Sequence, residues 1–233
     1  MNDAPAAGPP NLETARLRLR PFTLADAGDV RRLAGERAVA EMTINLPHPY
    51  PEGAAEAWIA SRPGTFASGK GMTWAITRRE TGELIGAISL MDIAAGHQAE
   101  MGYWIGVPWW GRGYCTEAAA AAVAHAFTAL GLERVHAHCF TRNPASARVL
   151  RKAGLSFEGR LRQHARRDDR LEDIDFYGVL RPEWEAAEAV RSRASDGEPG
   201  GASGPAPAPA PSTLSAMITG QYRAAWSMLR DAV

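Results

Sequence analysis

The alternation of apolar and small residues near the middle of the chain predicts a β-strand. Met101, Tyr103 and Ile105 fall on one face of this segment, and Gly102 and Trp104 fall on the other. A proline three residues further on is expected to end the strand, because proline has no N–H to donate to a sheet. We take this strand as the centre of the predicted fold.

A glycine turn and a helix follow the strand. Gly111-Arg112-Gly113 predicts the turn, and the alanine-rich run after Tyr114 predicts a helix with Thr116 as its N-cap. Glycine lets the backbone approach an anion, and the first N–H groups of a helix have no partner inside it. Strand, turn and helix together predict a site where main-chain N–H groups bind a diphosphate.

The remaining hydrophobic pattern predicts an α/β sheet with helices on both faces. Thr23 is expected to cap the first helix, and Pro51 to lie in the first turn of the second. The charged segment 166–170 is expected to be a solvated hairpin tip. The other predicted strands are 16–20, 72–77, 84–90, 134–140, 157–165 and 171–180, and further helices are predicted at 24–36, 144–153 and 183–193.

The composition divides the chain into a folded domain and a tail. Residues 1–11 predict a flexible N-terminus, and residues 12–193 predict one domain. Residues 194–211 are rich in Gly, Ser and alternating Pro-Ala, which predicts a linker. Residues 212–233 carry an apolar stripe at helical spacing and predict an amphipathic helix. Such a helix needs a surface to cover, on its own domain, on a second copy in a homodimer, or on another protein.

Charge and cysteine content exclude several classes of protein. Lys plus Arg and Asp plus Glu both number 26, so the formal net charge is zero. The chain therefore lacks the overall positive charge that would indicate a nucleic-acid partner. Two cysteines form no disulfide framework, which fits a cytoplasmic protein. No apolar run reaches the length of a transmembrane helix, so no membrane partner is expected.

Two blocks of the sequence resemble a known family. The run 110–115, WGRGYC, resembles the acyl-CoA loop of the GNAT N-acyltransferase superfamily, Gln/Arg-x-x-Gly-x-Gly/Ala, although its Trp and Cys depart from that pattern. The run 143–146, NPAS, followed by 149–155, VLRKAGL, is similar to the family's Asn-x-x-Ser segment. The longer run WWGRGYCTEA is most similar to the RimJ/RimL-type ribosomal-protein N-terminal acetyltransferases, and the resemblance covers roughly 12–184.

The resemblance implies a fold, a co-substrate and a reaction. The implied fold is a mixed, mostly antiparallel twisted sheet with splayed central strands. The implied reaction is direct attack of an amine on acetyl-CoA in a ternary complex, with no metal and no acyl-enzyme. The residues expected to contact acetyl-CoA are Ile105, Val107, Gly111, Arg112, Gly113, Tyr114, Cys115, Thr116, Asn143 and Ser146.

Two residues are candidates for proton transfer. Ser146 would protonate the leaving sulfur, and Glu100 would take the proton of the amine through water. The alternative for Ser146 is a purely structural position, N3 of a helix that Asn143 caps. The alternative for Glu100 is a surface acid at the end of a strand. The ribosomal-protein branch uses a Glu on the penultimate strand, and Ala165 stands at that place here. His164 beside it is expected to point to the opposite face.

The acceptor is expected to be a primary amine, either a protein N-terminal α-amine or a small-molecule amine. An α-amine has a pKa of about 7.7–8.0, against about 10.4 for lysine, so it needs less help to lose its proton. In the resembling family the segment 44–50 borders the acceptor pocket; here it could equally be a surface loop. The alternative function is a non-catalytic acyl-CoA-binding sensor on the same fold.

A pair of histidines invites a metal-site interpretation. His136 and His138 share one face of a predicted strand, but no further ligand lies near them in the sequence, and zinc takes four. We therefore predict structural or solvent-facing histidines and no metal.

Overall fold

The computed structural model describes residues 8–195, which form eight strands and six α-helices. The strands are β1 (Leu12–Glu13), β2 (Leu17–Arg20), β3 (Met72–Arg78), β4 (Leu84–Ala94), β5 (Gln98–Ile105), β6 (Arg134–Phe140), β7 (Ser156–Arg167) and β8 (Arg170–Leu180). The helices are α1 (Ala27–Ala34), α2 (Arg37–Ala40), α3 (Ala54–Ala67), α4 (Tyr114–Thr128), α5 (Pro144–Lys152) and α6 (Arg181–Ser195).

All eight strands belong to one sheet, in the order β1-β2-β3-β4-β5-β6-β8-β7. Every neighbouring pair is antiparallel except β5 and β6, which are parallel. These two strands pair only where Gln98–Glu100 faces Arg134–His136. Beyond Glu100 they part and leave an opening in the sheet. The mixed, mostly antiparallel sheet with splayed central strands is therefore confirmed.

Helices cover both faces of the sheet, as the sequence predicted. Along β3, Trp74 and Ile76 belong to the larger apolar cluster, which α4 and α5 complete. Ala75 points the other way and packs in a second cluster with residues of α1 and α3. Because successive side chains of a strand alternate between faces, each of the two helical layers packs on its own side of β3.

Of two predicted helix starts, one is confirmed and one is wrong. Thr23 is the N-cap, as expected, but the helical run opens with a 3-10 turn, Leu24–Asp26, continues as α1 and ends before Gly35 rather than at position 36. The second helix begins at Ala54, after Gly53, and not at Pro51. Gly53 has a φ of 73°, a left-handed conformation that glycine adopts without strain, and this turn sets the direction of the helix.

The predictions for the tail lie outside the described residues. Helix α6 continues to Ser195, slightly past the expected end of the domain at Arg193. The remaining linker residues and the predicted amphipathic helix 212–233 are not part of the described structure. Within residues 8–195, no helix is both long enough and apolar enough to cross a bilayer.

Candidate active site

A hydrogen bond spans the opening between β5 and β6. The hydroxyl oxygen of Tyr103, on β5, lies 2.8 Å from Oγ of Ser146, on α5. Burial raises the pKa of Tyr103 well above its usual range, so the phenol keeps its proton at neutral pH. Strand alternation predicted that Tyr103 shares a face of β5 with Met101 and Ile105, but no sequence signal indicated that it meets Ser146.

The start of α5 is built by local chemistry. The side-chain oxygen of Asn143 accepts a hydrogen bond from the N–H of Ser146 at 3.0 Å, as an N-cap residue does, and Pro144 fills the first helical position. The amide nitrogen of Asn143 donates to the carbonyl of Met42 at 3.4 Å. The capping prediction is confirmed. The cap involves the backbone N–H of Ser146 and not its hydroxyl group.

The glycine turn begins α4, but not at the predicted residue. Gly113 is the N-cap, with a φ of 80°, and the N–H of Glu117 makes the first helical bond to its carbonyl at 3.0 Å. Thr116 therefore lies in the first turn and is not the N-cap. Gly113 adopts the left-handed conformation without strain, so the helix begins three residues earlier than it would with Thr116 as its cap. The N–H groups of Tyr114 and Cys115 remain without helical partners.

Trp110 ties this loop to the end of β5. Its indole N–H donates to the carbonyl of Ile105 at 2.6 Å, while the residue as a whole stays 46% exposed. The carbonyl of Ile105 is thus already bonded. Val107, the other residue expected to offer backbone groups, opens a 3-10 turn that links β5 to the loop.

Neither cysteine has the properties of a nucleophile. Burial raises the pKa of Cys139 to about 11, and it raises the pKa of Cys115 further still. The thiolate is the reactive form of cysteine, so both residues stay unreactive near neutral pH. Both are free thiols.

Glu100 lies on the opposite face of the sheet from α5. It pairs with His136 in the register of β5 and β6, and therefore shares the face of that histidine. Its side chain is 11% exposed, and Oε1 lies 3.3 Å from Nδ1 of His138. Burial, with a smaller contribution from Asp92, raises the pKa of Glu100 to about 7. A carboxyl group with this pKa can both accept and release a proton at neutral pH.

The histidines around Glu100 are neutral. Burial lowers the pKa of His138 to about 4, assisted by His136 and His164, and burial with Arg134 lowers the pKa of His136 to about 4. Within residues 8–195 no three His, Cys, Asp or Glu side chains are grouped as metal ligands would be.

The predicted orientation of His164 is wrong. Its ring lies 5.8 Å from the ring of Phe176, which in turn lies 5.4 Å from the ring of His138. The cause is an irregularity in β7, where the pairing with β8 shifts between Leu161 and Ala165. Extra residues in one strand change which face the next side chain meets.

Two arginines attach the segment after α2 to the other half of the sheet. Arg142 donates to the carbonyl of Glu41 at 2.8 Å, and Arg167 donates to the carbonyls of Ile44 and Leu46 at 3.3 and 2.7 Å. The side chain of Arg167 is only 10% exposed, so the expectation of a fully solvated hairpin tip fails for this residue.

The structure brings the candidates together in two groups. Tyr103, Ser146 and Asn143 lie where α5 meets the opening, while Glu100 lies by the same opening on the other face. Such an arrangement places a titratable carboxyl group on one face of the opening and two hydroxyl groups on the other. The loop 110–116 follows directly from the end of β5.

Known proteins share this architecture. The family model described as acetyltransferase (GNAT) domain matches residues 16–156. The chain is 35% identical over 174 residues to the uncharacterized N-acetyltransferase YoaA of Bacillus subtilis, across 74% of this chain and 98% of YoaA.

Two solved structures have the same fold. RimL, a ribosomal L7/L12 α-N-protein acetyltransferase in complex with coenzyme A, has a TM-score of 0.67 at 18% identity, across 73% of this chain and 98% of RimL. A spermidine N-acetyltransferase from Vibrio cholerae, in complex with CoA and spermine, has a TM-score of 0.65 at 19% identity, across 74% and 99%. At these identities the similarity concerns the fold alone.

Proposed function

Because the chain belongs to the GNAT acetyltransferase family, we propose that it moves the acetyl group of acetyl-CoA to a protein N-terminal α-amine. A small-molecule amine is the second candidate acceptor. The observation that carries the proposal is the opening between β5 and β6, with Glu100 on one face and the Tyr103–Ser146 pair on the other. Both cysteines are free, which suits the cytoplasm where we expect the enzyme to work.

The loop that begins α4 would bind the diphosphate of acetyl-CoA. The contributing residues are Gly111, Arg112, Gly113, Tyr114, Cys115 and Thr116, with Ile105 and Val107 beside the pantetheine arm and Asn143 across the opening. Gly111 and Gly113 both have φ values above 70°, so the backbone turns here without side chains in the way. Unpartnered N–H groups at a helix start favour an anion.

The ammonium form of the acceptor must lose two protons, and the departing sulfur must gain one. Glu100 would accept the first proton through water and release it to solvent, and the neutral amine nitrogen would then attack the thioester carbonyl carbon. The new C–N bond forms as the C–S bond breaks, and the nitrogen loses its second proton to Glu100 through water. Ser146 would give its proton to the departing sulfur and recover one from solvent through Tyr103, which lies 2.8 Å away. The thiols of Cys115 and Cys139 take no part.

The raised pKa of Glu100 supports turnover rather than passive sensing. A base with a pKa of about 7 is half ionised at neutral pH, close to the pKa of about 7.7–8.0 of an α-amine. A lysine amine, at about 10.4, would be harder for this carboxylate to deprotonate. This match favours an α-amine as the acceptor.

The test follows release of free thiol from acetyl-CoA. The protein is incubated with peptides that differ in their first residue, with the same peptides blocked at the N-terminus, and with spermidine. We expect thiol release with free α-amine peptides, none with the blocked ones, and the same rates in EDTA. Release with spermidine alone would overturn the choice of acceptor. CoA binding by calorimetry, with no release above background for any amine, would favour the sensor.

A further inference from the structure

Arg16, just before β2, contacts the loop from outside its sequence motif. Its Nε lies 2.7 Å from Oε2 of Glu117, and its backbone N–H donates to Oε1 of Glu117 at 2.8 Å. Its Nη1 donates to the carbonyl of Arg112 at 3.0 Å. Its guanidinium carbon lies 4.6 Å from the centre of the Tyr114 ring. One side chain therefore contacts the turn, the first residue of α4 and the first carboxylate of that helix.

The bond to Arg112 fixes the direction of a peptide group. The carbonyl of Arg112 and the N–H of Gly113 belong to one planar trans peptide, so they point to opposite sides. Because Arg16 holds that carbonyl, the N–H of Gly113 points away from Arg16. This is one of the N–H groups that the loop would offer to a diphosphate.

Arg16 also neutralises the negative charge of Glu117, which lies close to the proposed diphosphate site. Glu117 lies in the first turn of α4, where a carboxylate suits the helix but repels a second anion. Burial acts to raise the pKa of Glu117, but hydrogen bonds from Thr14 and Arg16 outweigh it and lower that pKa. Glu117 is therefore ionised, and the guanidinium of Arg16 offsets its charge.

The remaining nitrogen of Arg16 lies beside the helix start. A Cβ placed on Gly113 would be 3.4 Å from Nη2 of Arg16, and the Arg16 side chain is 48% exposed. The half-exposed guanidinium therefore lies at the helix start on the carbonyl side of the Arg112–Gly113 peptide, opposite the N–H that would face the diphosphate.

We propose that Arg16 is a positioning residue for the diphosphate of acetyl-CoA. It orients the Arg112–Gly113 peptide and cancels the charge of Glu117. This inference rests on the assignment of the loop 110–116 to acetyl-CoA. The competing explanation is that Arg16 only joins β2 to α4 as a structural ion pair.

The test compares Arg16→Gln with Arg18→Gln. Arg18 lies two residues further along, in β2, is 56% exposed and pairs with Glu13 at 2.6 Å, so its loss controls for removing a surface ion pair. Dissociation constants are measured by calorimetry for CoA, for 3′-dephospho-CoA, and for pantetheine, which lacks the diphosphate. Arg16→Gln should weaken binding of both diphosphate ligands about tenfold, leaving pantetheine unchanged. Arg18→Gln should change none of the three constants.

Two further variants keep the outcome decisive. Arg16→Lys keeps the charge but cannot hold Glu117 and the Arg112 carbonyl together, so it should also lose affinity for CoA and dephospho-CoA. It replaces Arg16→Gln if the latter does not fold. A lower melting temperature with unchanged CoA affinity, or an equal loss for pantetheine, would overturn the inference. Gly113→Val tests the loop separately: if it leaves CoA affinity unchanged, the loop assignment itself is wrong.

Discussion

The hydroxyl of Tyr103 lies 2.8 Å from Oγ of Ser146, and this contact joins β5 to α5 across the opening in the sheet. The two residues are 43 positions apart in the sequence. Tyr103 is also 3.3 Å from the carbonyl oxygen of Ser146. The phenol and the serine hydroxyl therefore form a small hydrogen-bonded unit in which a proton can pass from one oxygen to the other.

We expect this pair to act on the leaving sulfur. Ser146→Ala should lower kcat by about 10²–10⁴-fold, more than it raises KM for acetyl-CoA, because protonation matters in the transition state. Tyr103→Phe should lower kcat by a smaller factor, about tenfold, since Ser146 keeps its own hydroxyl. Steady-state kinetics with the acceptor identified by thiol release measures both.

The matched control is Tyr177→Phe. Tyr177 is fully buried, and its hydroxyl accepts a hydrogen bond from Arg151 at 3.2 Å rather than bonding to Ser146. Losing that hydroxyl should leave kcat unchanged. A wild-type kcat in Ser146→Ala would remove the serine from the mechanism. Loss of the helix cap cannot imitate the effect, because the cap is the side chain of Asn143.

The activity should follow the ionisation of Glu100. Because its pKa is about 7, kcat/KM should rise with pH up to about that value as the carboxylate forms. Glu100→Gln should lower kcat/KM by about 10²–10⁴-fold and abolish this rise. The control is Glu83→Gln, an exposed acid paired with Arg78. An unchanged pH profile in Glu100→Gln would assign the base elsewhere.

The same residue should make the fold less stable at high pH. Its pKa is raised from 4.5 to about 7 on folding, so the folded state binds the proton more tightly than the unfolded state. The free energy of unfolding should fall as pH rises through this interval, by about 3 kcal/mol in total. Glu100→Gln should therefore melt higher than the wild type near pH 8, and about equally near pH 4. Calorimetry at both values measures the difference, and equal melting temperatures near pH 8 would contradict it.

Gly113→Val should weaken CoA binding while the fold survives. Valine is strained at a φ of 80°, and its side chain would crowd the approach to the α4 N-terminus. We expect a loss of affinity of about tenfold or more by calorimetry. Gly131→Val is the control, since Gly131 also has a positive φ, 64°, but lies after the far end of α4. If both variants lose affinity equally, general strain and not the loop is responsible.

Arg167 should determine how firmly the segment after α2 is held. Arg167→Met removes the donors to the carbonyls of Ile44 and Leu46. Amide hydrogen exchange across 43–47 should become faster, with a loss of protection of about 1–3 kcal/mol. Arg166→Met, at the exposed neighbouring position, should leave exchange there unchanged. Equal exchange in the two variants would mean that other contacts hold the segment.

Elements defined by local chemistry could be predicted from the sequence. The strand Arg134–Phe140 has the predicted bounds, since its alternating apolar residues have to face a core. The cap at Asn143, the proline after it and the glycine that ends α5 also lie where they were expected. Each of these signals depends only on residues within one turn of helix or along one strand.

Features that depend on a particular backbone angle or on distant contacts were not predictable. Thr116 has the right side chain for an N-cap, but the left-handed φ of Gly113 begins the helix earlier. Gln163 has a φ of 52° and lies in an irregular part of β7, and the side chain of His164 therefore lies on the face opposite to the one expected. The sequence gives the face on which Tyr103 lies, but not which residue of a helix it meets there.

The attachment of the segment after α2 has a consequence for how this enzyme can diversify. Arg142 and Arg167 bind main-chain carbonyls at Glu41, Ile44 and Leu46, and every amino acid supplies that group. Side chains in this segment can therefore be exchanged through mutation without releasing the anchor. Substitutions in this segment therefore keep its attachment to the rest of the protein, provided that the two arginines are retained.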